Sequence, residues 1–308
     1  MTKQFVARIA TLAAVVAASS LMPPPAIAQR WVTESACPDN SPAVFHRCAM
    51  EAAEAFDPPR TPDGRPDMGG IWRLPDGNIG GVFEDLEEHP RTVEDIGGPT
   101  AIVDPPDGKV PMRAWADARR KEIPERYIHH FAACFLSGVP ETMYHGEARE
   151  FLQTPDNLVI MTVSVNSQAY RIIRLDGRPH VGENIRLWNG DSNGHWEGDT
   201  LVIETTNQNG RPWIDQRGRF YTEEALVVER LTLIDADTIH YQATIDDPNV
   251  YTRPFTMAVA YRRSTEETNM SVACYENNEV LMELYRGLGM EIYPGISASE
   301  AREAMEAE

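Results

Sequence analysis

The sequence predicts a mainly β protein, an antiparallel up-and-down β-barrel with an N-terminal loop-and-helix region packed on it. Three observations carry that expectation. From Glu150 onward, runs rich in β-branched and aromatic residues recur between short turn signals. Helices and strands do not alternate as a parallel sheet requires, and no glycine-rich phosphate loop interrupts the pattern. Roughly eight antiparallel strands left open would expose two sheet edges, and closure removes both.

Residues 1–28 read as an export leader. Lys3 and Arg8 form a positive start, Ile9–Ala18 is apolar, and Ala26-Ile27-Ala28 supplies a small-x-small cleavage pattern. A periplasmic or secreted localisation is expected. The apolar run falls short of the roughly 20 residues a membrane span needs, and no later stretch approaches that length, so membrane insertion is not expected. The chain carries 28 Lys and Arg against 47 Asp and Glu, a formal charge of −19. Loss of Lys3 and Arg8 with the leader makes it −21. Such a charge disfavours nucleic acid, which attracts basic patches.

The cysteines are Cys37, Cys48, Cys134 and Cys274. An even count in an exported chain reads as two disulfides with three possible pairings. Cys37–Cys48 and Cys134–Cys274 are favoured, the first closing a short loop and the second tying the middle of the chain to its last strand. No zinc-type CxxC or CxxH spacing occurs.

Residues 29–68 form an N-terminal arm. Asp39, Asn40 or Ser41 can cap a helix with Pro42 in its first turn, and Val44–Phe56 spaces Phe45, Cys48, Ala52 and Ala55 helically. The barrel domain, 69–297, opens with Gly70-Ile71-Trp72 and takes in a loop-rich insertion at 74–147, broken by Asp76-Gly77, Gly80-Gly81 and Gly97-Gly98-Pro99. Insertions of this length are usually lids, binding loops or disorder, and the aromatic residues and a cysteine within this one argue against disorder. Helices are expected over Pro111–Glu122 and from Pro124 to about Ala133, the second holding His129-His130.

Strands are expected at Glu150–Gln153, Leu158–Val165, Ala169–Leu175, Asn184–Trp188, Thr200–Thr206, Ala225–Ile234, Thr238–Asp246, Thr252–Arg263 and Met270–Tyr275. Within Trp188–Asn207, Asp191-Ser192-Asn193-Gly194 reads as a turn, His195-Trp196 as strand, and Glu197-Gly198-Asp199 as a tighter reversal. The tail, 298–308, is an acidic, alanine-rich helix end expected to fray. Alternation puts Ile239, Tyr241, Ala243 and Ile245 on one face and Phe255, Met257, Val259 and Tyr261 on another dry row. Glu229 shares a face with Val227, Leu231 and Leu233, an apolar setting that demands a partner, Arg253 or Arg171, or protonation.

The runs GDSNGHWEGDTLVIETTN and VVERLTLIDADTIHYQATIDDPNVYTRPFT resemble a widespread group of exported bacterial proteins described only as hypothetical. The likeness covers most of residues 60–275 and implies an architecture and an export route, with no activity attached. Gly70-Ile71-Trp72 is similar to the GxW opening of lipocalin-like (calycin) barrels, whose other short motifs are not matched.

The candidate chemistry centres on ionisable groups near the 188–207 hairpin. His195, Glu197 and Asp199 stand at i, i+2 and i+4, so a regular strand would turn all three to one side, and Asp191 can join them. Tyr251 and Arg253 can hold a carboxylate or oxyanion at a pocket mouth. His129-His130 with Tyr144-His145 form a third set on the insertion. No GxSxG elbow supports serine chemistry. The expected function is cofactor-free acid–base chemistry (lyase, isomerase, hydratase or hydrolase) on a small, largely apolar or aromatic molecule in a barrel pocket. His195, Glu229, Tyr251 and Arg253 are the expected catalytic residues, and Trp188, Asp191, His240, Tyr241, His130 and Tyr144 the substrate-binding ones. A carrier without turnover is the alternative. A metal-dependent enzyme using His195, Glu197 and Asp199 is the second. The oligomeric state is open.

Overall fold

The computed structural model describes residues 33–75, 85–90, 97–130, 132–144, 148–164, 167–264, 274 and 278–308. In chain order the elements are α1 (Pro42–Ala55), β1 (Gly70–Arg73), β2 (Ile102–Asp104), α2 (Ala114–Arg126), β3 (Tyr127–Ile128), α3 (Glu141–Tyr144), β4 (Arg149–Gln153), β5 (Asn157–Ser164), β6 (Ser167–Arg174), β7 (Asp191–Glu197), β8 (Thr200–Thr206), β9 (Leu226–Asp235), β10 (Thr238–Asp246), β11 (Phe255–Arg263), α4 (Asn278–Gly287), β12 (Glu291–Ile292) and α5 (Ala298–Glu306). The expected leader, most of the Met270–Tyr275 strand, and His145 lie outside the described residues.

β1 and β4 to β11 close into a nine-stranded barrel. β1 bonds β4 on one side (Gly70 opposite Phe151) and the end of β11 on the other (Trp72 opposite Arg263), while β2 pairs with the start of β11 (Asp104 opposite Thr256). Closure leaves the ring without the unpaired edges that an open sheet would offer to other chains. The strands meet antiparallel except at one seam, where β6 and β7 run parallel with Ile173 beside Ser192. The up-and-down order expected from the sequence therefore breaks there. No strand forms at Asn184–Trp188; residues 175–190 are irregular chain, held by a bridge from Leu187 to Gln208. Ile173 and Arg174 at the end of β6 pair with Ser192 and Asn193 at the start of β7, so the chain re-enters at the level where it left and β7 continues in the direction of β6.

Asp191-Ser192-Asn193-Gly194 is strand, not turn. The glycine serves close approach: a Cβ on Gly194 would sit 2.8 Å from Leu175 Cδ2 and 2.9 Å from Ile173 Cγ2. A side chain there would have to displace Leu175 and Ile173 at the end of β6. The reversal at Gly198-Asp199 forms as expected, with Glu197 opposite Thr200.

The alternating faces predicted for β9, β10 and β11 are the interior. Val227, Leu231, Leu233, Ile239, Tyr241, Ala243, Ile245, Phe255, Met257, Val259 and Tyr261 are all buried in one core with Trp72 and Phe151. Burying each such large side chain contributes about 1.5–3 kcal/mol. Outside the ring, α1 packs on β9 and β11, with Phe45 and Ala49 against Ile234 and Ala260. Its His46 Nδ1 lies 3.0 Å from Nε2 of His240, which points outward from β10.

Both disulfides, Cys37–Cys48 and Cys134–Cys274, are formed as favoured from the sequence. Among the described residues no helix is long and apolar enough to cross a membrane. The helix expected from Pro124 is instead the end of α2, which carries Pro124 in its last turn. The chain then becomes extended as β3, paired in parallel with β12, and leaves His129-His130 in the loop that follows. The C-terminal tail does not end loosely. Ser297 and Glu300 form a capping box, Ala298 and Ala301 are buried, and Arg302 reaches Glu224 at 2.8 Å.

Candidate functional site

The four residues expected to be catalytic do not converge on one site: His195 is on β7, Glu229 on β9, and Tyr251 and Arg253 in the turn before β11. His195 faces out from β7, with 54% of its side chain exposed, and meets Glu197 at 3.3 Å. Glu197 is also bonded by Arg230, and Asp199, in the turn, is gripped by Arg60. Asp191 is held by Arg174 and by His180 Nδ1 at 2.9 Å. Burial alone would raise its carboxyl, but bonds from Arg174, His180 and the Val181 amide outweigh burial and hold it below the usual range. The proposed metal cluster therefore does not converge, because each carboxylate already has its own cationic partner. Tyr251 is buried and donates to the Phe220 carbonyl at 2.6 Å. Arg253 is half exposed and pairs with Asp104.

Glu229 points inward as predicted, and Arg171 is its partner. Its Oε1 accepts from Arg171 Nη1 and from Tyr241 O–H, each at 2.9 Å, and its Oε2 accepts from Arg171 Nη2. The same guanidinium donates to Ser192 Oγ at 3.0 Å and Thr205 Oγ1 at 2.7 Å. With both oxygens and the guanidinium so engaged, the pair is a satisfied structural network and holds no free acid. His240 and Tyr241, two of the expected ligand contacts, divide between the walls: Tyr241 belongs to this network, and His240 lies outside under α1.

A different cluster stands where β8 ends and β4 and β9 begin. There the segment 128–144 and the loop 207–222 pack across the barrel. Tyr144 O–H donates to the Ile214 carbonyl, Gly138 N–H to Asn189 Oδ1 at 3.2 Å, and Trp213 N–H to His130 Nδ1 at 3.3 Å. Gly138 fixes the approach of the two segments: at φ +77° its Cβ would stand 2.5 Å from Pro212 Cγ, so any other residue would force them apart.

Inside this junction His130 Nε2 meets Glu141 Oε2 at 2.6 Å, and His129 Nε2 lies 3.6 Å from Glu141 Oε1. The two imidazoles overlap with centroids 4.2 Å apart, and Trp213 stands edge-on to His129 at 4.6 Å. Glu141 and His130 are each 1% exposed, whereas 14% of the His129 side chain is exposed. Only His129 reaches outward. Tyr221, which donates to Gln208 Oε1, lies close to Glu141, and burial, reinforced by that carboxylate, raises its phenol and keeps it a donor.

The ligand atoms of His129, His130 and Glu141 lie within 4.8 Å of one another, a spacing a divalent cation would accept. The hydrogen bonds assign a different role. Because His130 Nδ1 accepts the Trp213 amide proton, its Nε2 carries the ring proton and donates to Glu141. A protonated nitrogen has no lone pair for a metal. The arrangement is therefore a carboxylate oriented by one histidine and presented to a second.

No protein-family model matches this chain, and no curated protein matches it.

Of the expected ligand contacts, His130 and Tyr144 do belong to this junction, and Trp188 adjoins it, stacked on Phe135 at 4.7 Å with the Arg211 guanidinium 5.2 Å from the Trp188 ring centroid. Glu141, Arg211 and Trp213 were not foreseen as site residues. The sequence signal nearest Glu141 was Cys134, whose disulfide to Cys274 pins the insertion that carries both histidines; Arg211 and Trp213 had none.

Proposed function

We propose that the protein is an exported enzyme that performs acid–base chemistry on a small, largely aromatic molecule, with His129 as the group that exchanges the proton. The observation that carries this reading is the Glu141 carboxylate, fully buried, bonded through one oxygen to His130 and facing His129 Nε2 at 3.6 Å with the other. When His129 takes a proton, that carboxylate stabilises the imidazolium. His130 is a positioning residue, since its Nε2–H fixes the carboxylate. The 3.6 Å separation is within the range that closes to a hydrogen bond once substrate is bound. The partly buried Trp188 and Phe135, stacked on each other near the cluster, offer aromatic surface for an apolar body. The leader pattern, the likeness to exported bacterial proteins and the two disulfides support export.

The test is proton exchange at carbon. The full chain is incubated in deuterated water with a panel of aryl-substituted ketones and acids, and loss of C–H signal is followed by NMR. Exchange that falls about 10²-fold or more in His129→Gln is the expected result. Exchange absent across the panel, or equal in the variant, contradicts the reading and favours a carrier without turnover.

A further inference from the structure

The segment Gln208–Trp213 carries three buried N–H donors that have no hydrogen-bond partner among the described residues: Gln208 Nε2, Arg211 Nε and Trp213 Nε1. Gln208 is fully buried and Trp213 is 3% exposed. A donor removed from water without an acceptor costs free energy, so a native fold leaves few of them. Three within six residues of one loop is a concentration that asks for an acceptor from outside the chain.

Arg211 gives the sign of that acceptor. This protein has 47 acidic side chains against 28 basic ones, and several of its other buried or partly buried arginines use them: Arg171 with Glu229, Arg174 with Asp191, Arg219 with Asp215, Arg262 with Asp39 and Arg263 with Asp237. Among the described residues, the half-buried Arg211 side chain makes neither a hydrogen bond nor an ion pair; it rests over the Trp188 ring at 5.2 Å. The stack orients the guanidinium plane and leaves its donor edge unused.

The same segment touches the acid–base cluster at each end. Trp213 is edge-on to His129 and bonds His130 through its amide, and Gln208 accepts from Tyr221, the phenol beside Glu141. We propose that Gln208–Trp213 is an anion-recognition strap, and that the molecule taken at this site bears a carboxylate held by Arg211 with an aromatic body against Trp188. One guanidinium matches one carboxylate as a planar fork. A phosphate dianion would meet a single cation, and so is the poorer fit. This inference rests on the proposed site at His129 for its substrate, but it is tested by binding alone.

The full-length protein is titrated with benzoate, phenylacetate and 2-naphthoate, and with the corresponding neutral amides, following tryptophan fluorescence. At least one carboxylate should bind saturably and about 10-fold or more tighter than its amide. Arg211→Gln should weaken the carboxylate about 10-fold or more, leave the amide unchanged and keep the melting temperature; Arg211→Lys should restore part of the loss. His129→Gln should keep carboxylate affinity within about 3-fold, because the imidazole is not the anchor. Carboxylates that bind no better than amides, or equally well to a folded Arg211→Gln, would overturn the strap. Arg211-dependent binding with no proton exchange upholds the strap while refuting the acid–base reading. Exchange that is indifferent to Arg211, with no carboxylate preference, does the reverse.

Discussion

Arg171 holds both carboxylate oxygens of Glu229 in the interior of the barrel, and the remaining lone pair on Oε1 is filled by Tyr241. One wall, β6, supplies the cation and another, β9, the anion, so the pair fixes how the two sides of the ring face each other. Breaking it from one side leaves a buried charge. Glu229→Gln should therefore destabilise the protein by about 3–5 kcal/mol, whereas Arg171→Met with Glu229→Leu should recover much of the loss. Urea unfolding of the three proteins checks this. Glu229→Gln within about 1 kcal/mol of wild type would mean that the pair contributes little.

His240 should make stability depend on pH. Burial, and then the neighbouring His46, push its imidazole down to about 3 from the ordinary 6.5. The folded state therefore stays unprotonated where the unfolded chain binds a proton. The contribution is fully present above about pH 6.5 and is lost as pH falls toward 3. On this basis the protein should lose about 3 kcal/mol between neutrality and pH 4, with His46, also lowered by burial and Arg47, adding in the same direction. His240→Phe should flatten the decline between pH 6.5 and 4.5, above the range where carboxylates titrate. An unchanged slope in that variant would refute the assignment.

The two disulfides should differ in weight. Cys134–Cys274 spans 140 residues of sequence and Cys37–Cys48 spans 11. The chain-entropy argument assigns them about 5 and about 3 kcal/mol. Replacing Cys134 and Cys274 with serine should lower the melting temperature more than the same change at Cys37 and Cys48. It should also loosen the segment that presents His129, which amide hydrogen exchange over 128–144 would detect. Equal losses from the two pairs would contradict the ordering.

The outward residues should be nearly silent. His195 and Arg253 sit on the solvent side with exposed partners, Glu197 and Asp104. His195→Ala and Arg253→Ala should each change stability by no more than about 0.5 kcal/mol and leave proton exchange intact. A large loss of exchange in His195→Ala would return the chemistry to the hairpin.

The barrel was readable because its later strands state their period plainly. Thr200–Thr206 and Thr238–Asp246 form with the limits expected, and the inward row at β9 exposes Glu229 as an acid in need of a partner, with Arg171 among the two named. The parallel seam was not readable. Residues 175–190 carry turn residues compatible with a reversal or a return, and nothing local distinguishes the two. Gly194 misled for a related reason: a glycine retained for close approach to Ile173 and Leu175 has the same letter as one retained for a turn. The site was half visible. His129-His130 stood out as a pair, but Glu141 lies 11 residues on and Trp213 lies 83 from His130, so no spacing within one element announces them. His195, by contrast, looked convergent with Glu197 and Asp199 because strand alternation cannot say whether the shared face is inside or outside the ring.

The most direct measurement is a double-mutant comparison of His129→Gln, Glu141→Gln and the two combined in the deuterium-exchange assay, with melting curves to establish that each is folded. Each single change should lower the exchange rate about 10²-fold or more, and the double change should fall no further than the worse single, because an imidazole and the carboxylate that backs it act as one unit. Folded single variants that exchange at the wild-type rate, or losses that multiply in the double variant, would contradict the account.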